Sequence, residues 1–180
     1  YADQVVVAGA GAEDLEDLAT SFSAANGEEV RMRPVEPTDE PLIQELFYRC
    51  SERTIYLRFF SYLKALPHSD AQKFVAVDYD NSLAMVATAK EGERDVIIAV
   101  GRYNRDLATN YADCAFTVRD DWQDKGVGRQ LIERLMEVAR GRGIAGFTAD
   151  VLVENTRMMH VFHLSAPGPI QSRFEAGSYH

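Results

Sequence analysis

Residues 122–143 read WQDKGVGRQLIERLMEVARGRG, a long amphipathic pattern that opens on a lysine and two glycines. Val127, Leu131, Leu135 and Val138 recur at helical spacing, and Ile132 and Met136 widen the stripe, which predicts a helix with one buried face. Arg140 and Arg142 sit in or beside its last turn, where positive charge favours the dipole, and Gly141 or Gly143 can supply the C-cap. The start of the helix is less ordinary. Ser, Thr, Asp or Asn usually closes a helix by accepting hydrogen bonds from the free N–H groups of the first turn. Asp124 is available for that task. Yet Gly126 and Gly128 would each cost about 1 kcal/mol in helical positions. Their missing side chains leave a backbone that an anion can approach closely. Lys125 and Arg129 add positive charge on the same side. The G-x-x-x-x-G-K-[ST] spacing of a Walker loop is absent, as is its magnesium-binding hydroxyl, so the stretch reads as an anion site of another kind.

Working outward, YADCAFTVRD (111–120) predicts a strand that runs directly into this loop, so a strand's C-terminal end meets a helix N-terminus. Ligands bind at such junctions in strand–loop–helix units. Upstream, SLAMVATAK (82–90) and RDVIIAVGRYN (94–104) are separated by turn clusters and read as an antiparallel meander. Asn26-Gly27 predicts a two-residue type I′ hairpin joining strands at 20–25 and 28–35. Cap chemistry at residues 38–41 opens a helix carrying Leu42, Ile43, Leu46 and Phe47 to about Cys50. A second helix is expected within SERTIYLRFFSYLKAL (51–66) and a third from Ser69 to Val77. Downstream, GIAGFTADVLV (143–153) predicts one buried strand, NTRMMHVFH (155–163) a short helix, and residues 170–174 a last strand. The pattern is that of an α/β (α+β) domain with a mostly antiparallel sheet.

Composition narrows the function classes. The 180 residues suit one domain with a substantial core, and 46% hydrophobic and 26% charged residues are values of a soluble protein. No apolar run approaches the ~20 residues of a membrane span, and the N-terminus carries no basic n-region of a signal peptide. A cytoplasmic location is expected. The formal charge is -9, from 28 acids against 19 bases. Residues 1–29 hold seven acids and no Lys or Arg, leaving 21 acids against 19 bases, a net of -2. We therefore expect an acidic leader over residues 1–18 and one domain over 19–180. The GAGAED of the leader lacks the third glycine of a dinucleotide loop, and its acids would repel a pyrophosphate. Neither part shows the basic footprint of a nucleic-acid binder. Cys50 and Cys114 are far apart and fit reduced thiols. His160 and His163 lack a carboxylate to complete a ligand set, so no metal is expected.

Gln123-x-x-Gly126-x-Gly128 after Ala115-Phe116-Thr117-Val118 resembles the acyl-CoA signature Q/R-x-x-G-x-G/A of the GNAT superfamily of N-acetyltransferases. The order of elements from about residue 19 to 164 is similar to theirs. More narrowly, VRMRPVEPTDEPLIQELF, SERTIYLRFF, DYDNSLAMVA and AFTVRDDWQDKGVG resemble the catalytic domains of bacterial protein-lysine acetyltransferases that act on acyl-CoA synthetases. The resemblance implies the GNAT fold: a mixed, mostly antiparallel sheet splayed between two parallel central strands (here 112–118 and 147–153), with helices on both faces. It implies acetyl-CoA as co-substrate. Gln123, Asp124, Lys125, Gly126, Val127, Gly128 and Arg129 would cradle its pyrophosphate, the main chain of Phe116 and Val118 would pair with the pantetheine arm, and Asn155 would hydrogen-bond that arm. Val118 N–H would stabilise the oxyanion.

The implied reaction is direct attack by an amine in a ternary complex. A lysine with a pKa of about 10.4 is nucleophilic at neutral pH only to the order of 0.1% or less, so a positioned base helps. Related enzymes place a glutamate on the strand before the motif. Asp113 stands there, one methylene shorter, with Glu154 as a second candidate and an exposed strand carboxylate as the bland alternative. Two departures stand out. Phe162 occupies the place of a tyrosine that protonates the departing thiolate, and LSAPGPI replaces the usual K-x-G-F. Tyr103 and Tyr111 are possible substitutes. An incomplete final strand at the C-terminus would leave a sheet edge open to homodimerisation. The acceptor expected from the resemblance is a protein lysine. A small amine, or no acceptor at all in an acyl-CoA sensor, are the alternatives. Cys114 is expected buried, on the opposite face from Asp113. Tyr56, Leu57, Phe59 and Phe60 are expected in the core or along a substrate channel.

Overall fold

The computed structural model describes residues 15–59, 61, 63–152, 154–165, 174–175 and 178–179. Residues 1–14 of the acidic leader, Phe60 and the segment 166–173 lie outside them, so most of the leader and most of the last expected strand are not described. Strands β1 (Thr20–Ser23) and β2 (Glu29–Pro34) form the hairpin that Asn26-Gly27 predicts. Its turn differs from the expected type I′. Ala24 N–H donates to Glu28 O at 2.9 Å, so the loop has three residues, and only Gly27 (φ 82°) takes the left-handed conformation. Asn26 Oδ1 accepts from Glu28 N–H at 3.0 Å, and this side-chain bond takes the place of a second left-handed residue.

Three helices follow, α1 (Glu40–Arg49), α2 (Glu52–Phe59) and α3 (His68–Val75). The meander is β3 (Ser82–Glu91), β4 (Arg94–Arg105) and β5 (Tyr111–Val118), and helix α4 (Val127–Gly141) comes next. Alternation along these strands feeds two cores. On one face Leu83, Met85, Ile98, Cys114 and Phe116 pack under Val127, Leu131, Ile132 and Leu135 of α4. On the other, Ala84, Val86, Ile97 and Val100 meet Ile43, Leu46 and Phe47 of α1, with Ile55 of α2 and Ala71 and Val75 of α3. Each strand face that one helix layer leaves bare the other covers, which is why the strands read as near-continuous apolar runs.

The six-stranded sheet runs β1-β2-β3-β4-β5-β6, antiparallel except for the parallel pair β5–β6. Register along β3–β4 passes from Ala87↔Ala99 to Thr88↔Ile97, so Ile98 is an extra, bulged residue. Its carbonyl accepts from Arg119 N–H at 2.8 Å. The one long strand expected at 143–153 is two short ones. β6 (Gly146–Thr148) pairs with β5, whereas β7 (Val151–Leu152) joins a second sheet of order β7-β9-β8. That sheet contains β8 (Phe174–Glu175) and β9 (Ser178–Tyr179), and α5 (Thr156–Ser165) intervenes in the chain. The break follows from competition between partners: Val151 and Leu152 take up pairing with Tyr179 and Ser178 instead of with β5.

Candidate active site

Pairing between β5 and β6 is limited to Tyr111↔Gly146, Ala112↔Phe147 and Asp113↔Thr148. From Cys114 to Val118, β5 continues without β6, and a cleft opens in the gap. Arg119 N–H donates back toward β4, to Ile98. N–H groups alternate along a strand, so those of Phe116 and Val118 face the opened edge. The cleft holds about 650 Å³ and is lined by Phe116, Val118, Gln123, Gly126–Arg129 and Asn155, among others. A second cavity of about 280 Å³ lies beside it, between Asp113, Ala115, Asp150 and Phe162. Leu57, Arg58, Phe116, Asn155 and Met158 belong to the walls of both, so the two spaces adjoin.

The outer end of these spaces is the mouth of α4. Gly126 is the N-cap, at φ 85°, and no side chain caps the helix. A left-handed cap of this kind strains any residue with a Cβ, which explains the glycine. Asp124, the available capping residue, does not cap: it is itself left-handed (φ 59°), and its carboxylate pairs with Arg157 at 3.2 Å. The first-turn amides therefore open into the cleft with the positive end of the helix dipole behind them, a fit for a phosphate. Arg129 lines the cleft while pairing with Glu133 at 2.9 Å. Lys125 is not part of the lining; its Nζ donates to the Asp121 carbonyl at 2.6 Å. Gln123 Nε2 donates to the Val118 carbonyl at 2.9 Å and to Thr54 Oγ1 at 3.2 Å, and its Oε1 accepts from Arg157. The glutamine thus braces the loop instead of facing the cleft alone.

At the inner end Asp113 reaches the chamber from the last residue of β5 that still pairs with β6. Desolvation by the chamber walls pushes its carboxyl above the usual range, and the field of Asp150 adds to this; Arg58 and the Thr148 hydroxyl pull the other way. Glu154 lines the outer cleft and not the chamber. Cys114 is buried in the α4-side core and also borders the chamber; burial and then Asp113 push its thiol up, away from the thiolate form that attacks. Asn155 Oδ1 accepts from Met158 N–H at 3.2 Å and caps α5, leaving its amide donors for a ligand. Phe162 lines the chamber and meets Phe116 edge-on at 6.1 Å between centroids. Tyr103 is 1% exposed in the α4-side core against Phe147, and Tyr111 is 46% exposed at the far end of β5. Burial removes Tyr103 as a proton donor to the chamber. Leu57 and Phe59 line the chamber, as expected for channel residues.

Sequence reasoning missed Arg157, Thr54, Arg58 and Asp150. Asp120 was missed as well: its carboxylate accepts from Ser51 N–H and Oγ and from Thr54 Oγ1, which docks α2 on the loop. Only Arg157 carried a local signal, a cation in the first turn of a helix after Asn155. Among the described residues no cluster of His, Cys, Asp and Glu could hold a metal, and no helix is long and apolar enough to cross a membrane.

The profile of the acetyltransferase (GNAT) family matches residues 43–165. The chain is 33% identical over 136 residues to acetyltransferase Pat of Mycolicibacterium smegmatis, covering 75% of this chain and 40% of that protein. It is 28% identical over 121 residues to acetyltransferase PA5475 of Pseudomonas aeruginosa, covering 67% and 65%. It therefore spans less than two thirds of either relative. Among solved structures, the GNAT domain of S. lividans PAT superposes with a TM-score of 0.80 at 28% identity, over 91% of this chain and 94% of that one. A cAMP-binding acyltransferase from Mycobacterium smegmatis superposes at 0.58 and 27% identity, over 92% and 47%.

Proposed function

The chain belongs to the acetyltransferase (GNAT) family, and from that premise we propose that it transfers the acetyl group of acetyl-CoA to a primary amine, with a protein lysine as acceptor. The observation that carries this reading is the parting of β5 from β6 beyond Asp113, with adjoining cavities that run from the uncapped amides of α4 to the Asp113 carboxyl. At the outer end the amides of Gly126 to Arg129 bind the pyrophosphate, with Arg129 and Arg157 adding charge. The main chain of Phe116 and Val118 pairs with the pantetheine arm as an added strand would, and Asn155 donates to it. The thioester supplies an activated acyl group. Asp113 takes the proton from the amine, and Val118 N–H faces the oxygen on which negative charge develops.

The two carboxylates Asp113 and Asp150 make the chamber attractive to a cationic lysine before it is deprotonated. Among the described residues no tyrosine lines either cavity, and Phe162 stands at the matching place; a thiol of pKa about 8.5 departs without one. The similarity to bacterial protein-lysine acetyltransferases supports a protein acceptor such as an acyl-CoA synthetase. The position of β8 at the end of the C-terminal strand order is compatible with a homodimer.

Thiol release from acetyl-CoA, measured with acyl-CoA synthetases, lysine peptides, polyamines and amino acids, tests the reading. Release with a protein lysine is the expected outcome. Release only with polyamines or amino acids would make it a small-molecule enzyme. Thermal stabilisation by acetyl-CoA without release from any amine would make the chain a sensor and overturn the catalytic reading.

A further inference from the structure

The two cavities meet at a seam whose shared wall is Leu57, Arg58, Phe116, Asn155 and Met158, and Arg58 is the one charged side chain in it. A thioester with its phosphates at α4 and its arm along β5 must bring its acyl carbon to this seam, because the acceptor amine waits on the other side. An acetyl group needs only a small apolar pocket there. Leu57, Phe116 and Met158 would provide one, and a guanidinium beside them is not required for acetyl binding.

The environment of Arg58 makes its presence more informative. Its guanidinium lies over the Phe59 ring at 4.8 Å, which orients the planar fork. Desolvation weighs against its charge, and Arg102, itself 5.6 Å from the Phe74 ring, adds repulsion; Asp113 is the carboxylate whose field opposes them. Asp113 belongs to the chamber wall and not to the seam. Arg58 forms no ion pair among the described residues. A partly desolvated cation with no close carboxylate among the described residues retains the capacity to bind an anion. A ligand can deliver that anion to this point, and a guanidinium fork matches a carboxylate in both planarity and spacing.

We propose that the chain takes short-chain dicarboxylic acyl-CoA thioesters, of the malonyl and succinyl type, as acyl donors, with Arg58 holding the distal carboxylate. This rests on the reading that the cleft binds a CoA thioester. The transfer balances as it does for acetyl. The amine nitrogen bonds to the acyl carbon, the carbon–sulfur bond breaks, the amine proton passes to Asp113, and CoA departs as the thiolate. The product amide keeps the distal carboxylate, so a cationic lysine becomes an anionic side chain.

Titration calorimetry with CoA, butyryl-CoA and succinyl-CoA tests this, since the two acyl groups have four carbons each and differ in the terminal carboxylate. Wild-type protein is expected to bind succinyl-CoA about tenfold or more tighter than butyryl-CoA. The preference should vanish in Arg58→Met and be partly retained in Arg58→Lys, which keeps the charge without the fork. Equal affinities in the wild type, or a preference undiminished in Arg58→Met, would overturn the proposal. The wild-type comparison and the lysine variant decide the matter even if Arg58→Met does not fold. Absence of binding by CoA itself would overturn both this inference and the reading beneath it. Binding of CoA and butyryl-CoA without a succinyl advantage would overturn this one alone.

Discussion

In the proposed mechanism Asp113 is the carboxyl that takes the amine proton, and its surroundings set how it should respond to pH. Desolvation first, and Asp150 second, raise its pKa above the ordinary value of 3.8, so the ionised, proton-accepting form appears only as pH rises past that elevated value. Activity should climb through that range and climb again as the amine deprotonates. Asp113→Asn should lower kcat/KM by about 100-fold or more at neutral pH and abolish the first limb, leaving only the amine limb. The same shift predicts the effect on stability. A carboxyl whose pKa is higher folded than unfolded favours folding while protonated, and that contribution is lost as pH rises through its range. Asp113→Asn should therefore melt at or above the wild-type temperature at pH 7. A large fall in melting temperature would mark Asp113 as structural instead. Its candidacy came from the resemblance, because it stands where related enzymes place a glutamate on the strand before the glycine loop. Arg58 carried no such signal, and the contacts of Arg157 with Gln123 and Asp124 join segments distant in the chain.

At the scale of elements, the wall of the cleft depends on how closely β4 and β5 approach. Gly101 pairs with Phe116, and a Cβ built on it would fall 2.6 Å from Phe116 Cδ1 and 3.2 Å from Leu135 Cδ1. The bare glycine lets the Phe116 ring lie across β4 under α4 and in contact with Phe162. Gly101→Ala should force the ring outward, cost about 1–3 kcal/mol by overpacking, and weaken CoA binding by the same displacement. Denaturant melts and CoA titration check both effects. A variant that melts and binds like the wild type would show that the contact is dispensable. Helix α4 was readable in advance because its stripe is periodic within one element. The hairpin turn and the break between β6 and β7 were not. The turn was decided by a side-chain bond from Asn26 and the break by a partner strand near the C-terminus.

Across the whole molecule, the helix layer that α1 opens is tied to the sheet partly by buried charge. Asp39, 4% exposed, receives two hydrogen bonds from Arg33 of β2 at 2.7 and 2.8 Å and one from Glu36 N–H at 2.8 Å. Burial alone would raise its pKa, but the Arg33 and Glu36 hydrogen bonds outweigh it and hold the carboxyl below 3.8. A depressed carboxyl contributes stability that is present above its ordinary range and lost as pH falls through its folded value. Asp120, Asp121, Glu45 and Glu91 are shifted in the same direction, so the fold should lose stability steeply in acid. Asp39→Asn should cost about 3 kcal/mol at pH 7, with the gap to wild type narrowing as pH falls below the ordinary carboxylate range; urea melts at several pH values measure this. The sequence by itself determined the order of elements, the amphipathic helix, the bare loop before it and the carboxyl ahead of that loop, because each is written in neighbouring residues. Only the tertiary structure decided where β5 and β6 part, which side chains brace the loop and which cation stands at the seam. Those outcomes depend on competition between segments far apart in the chain, and no local pattern records who wins it.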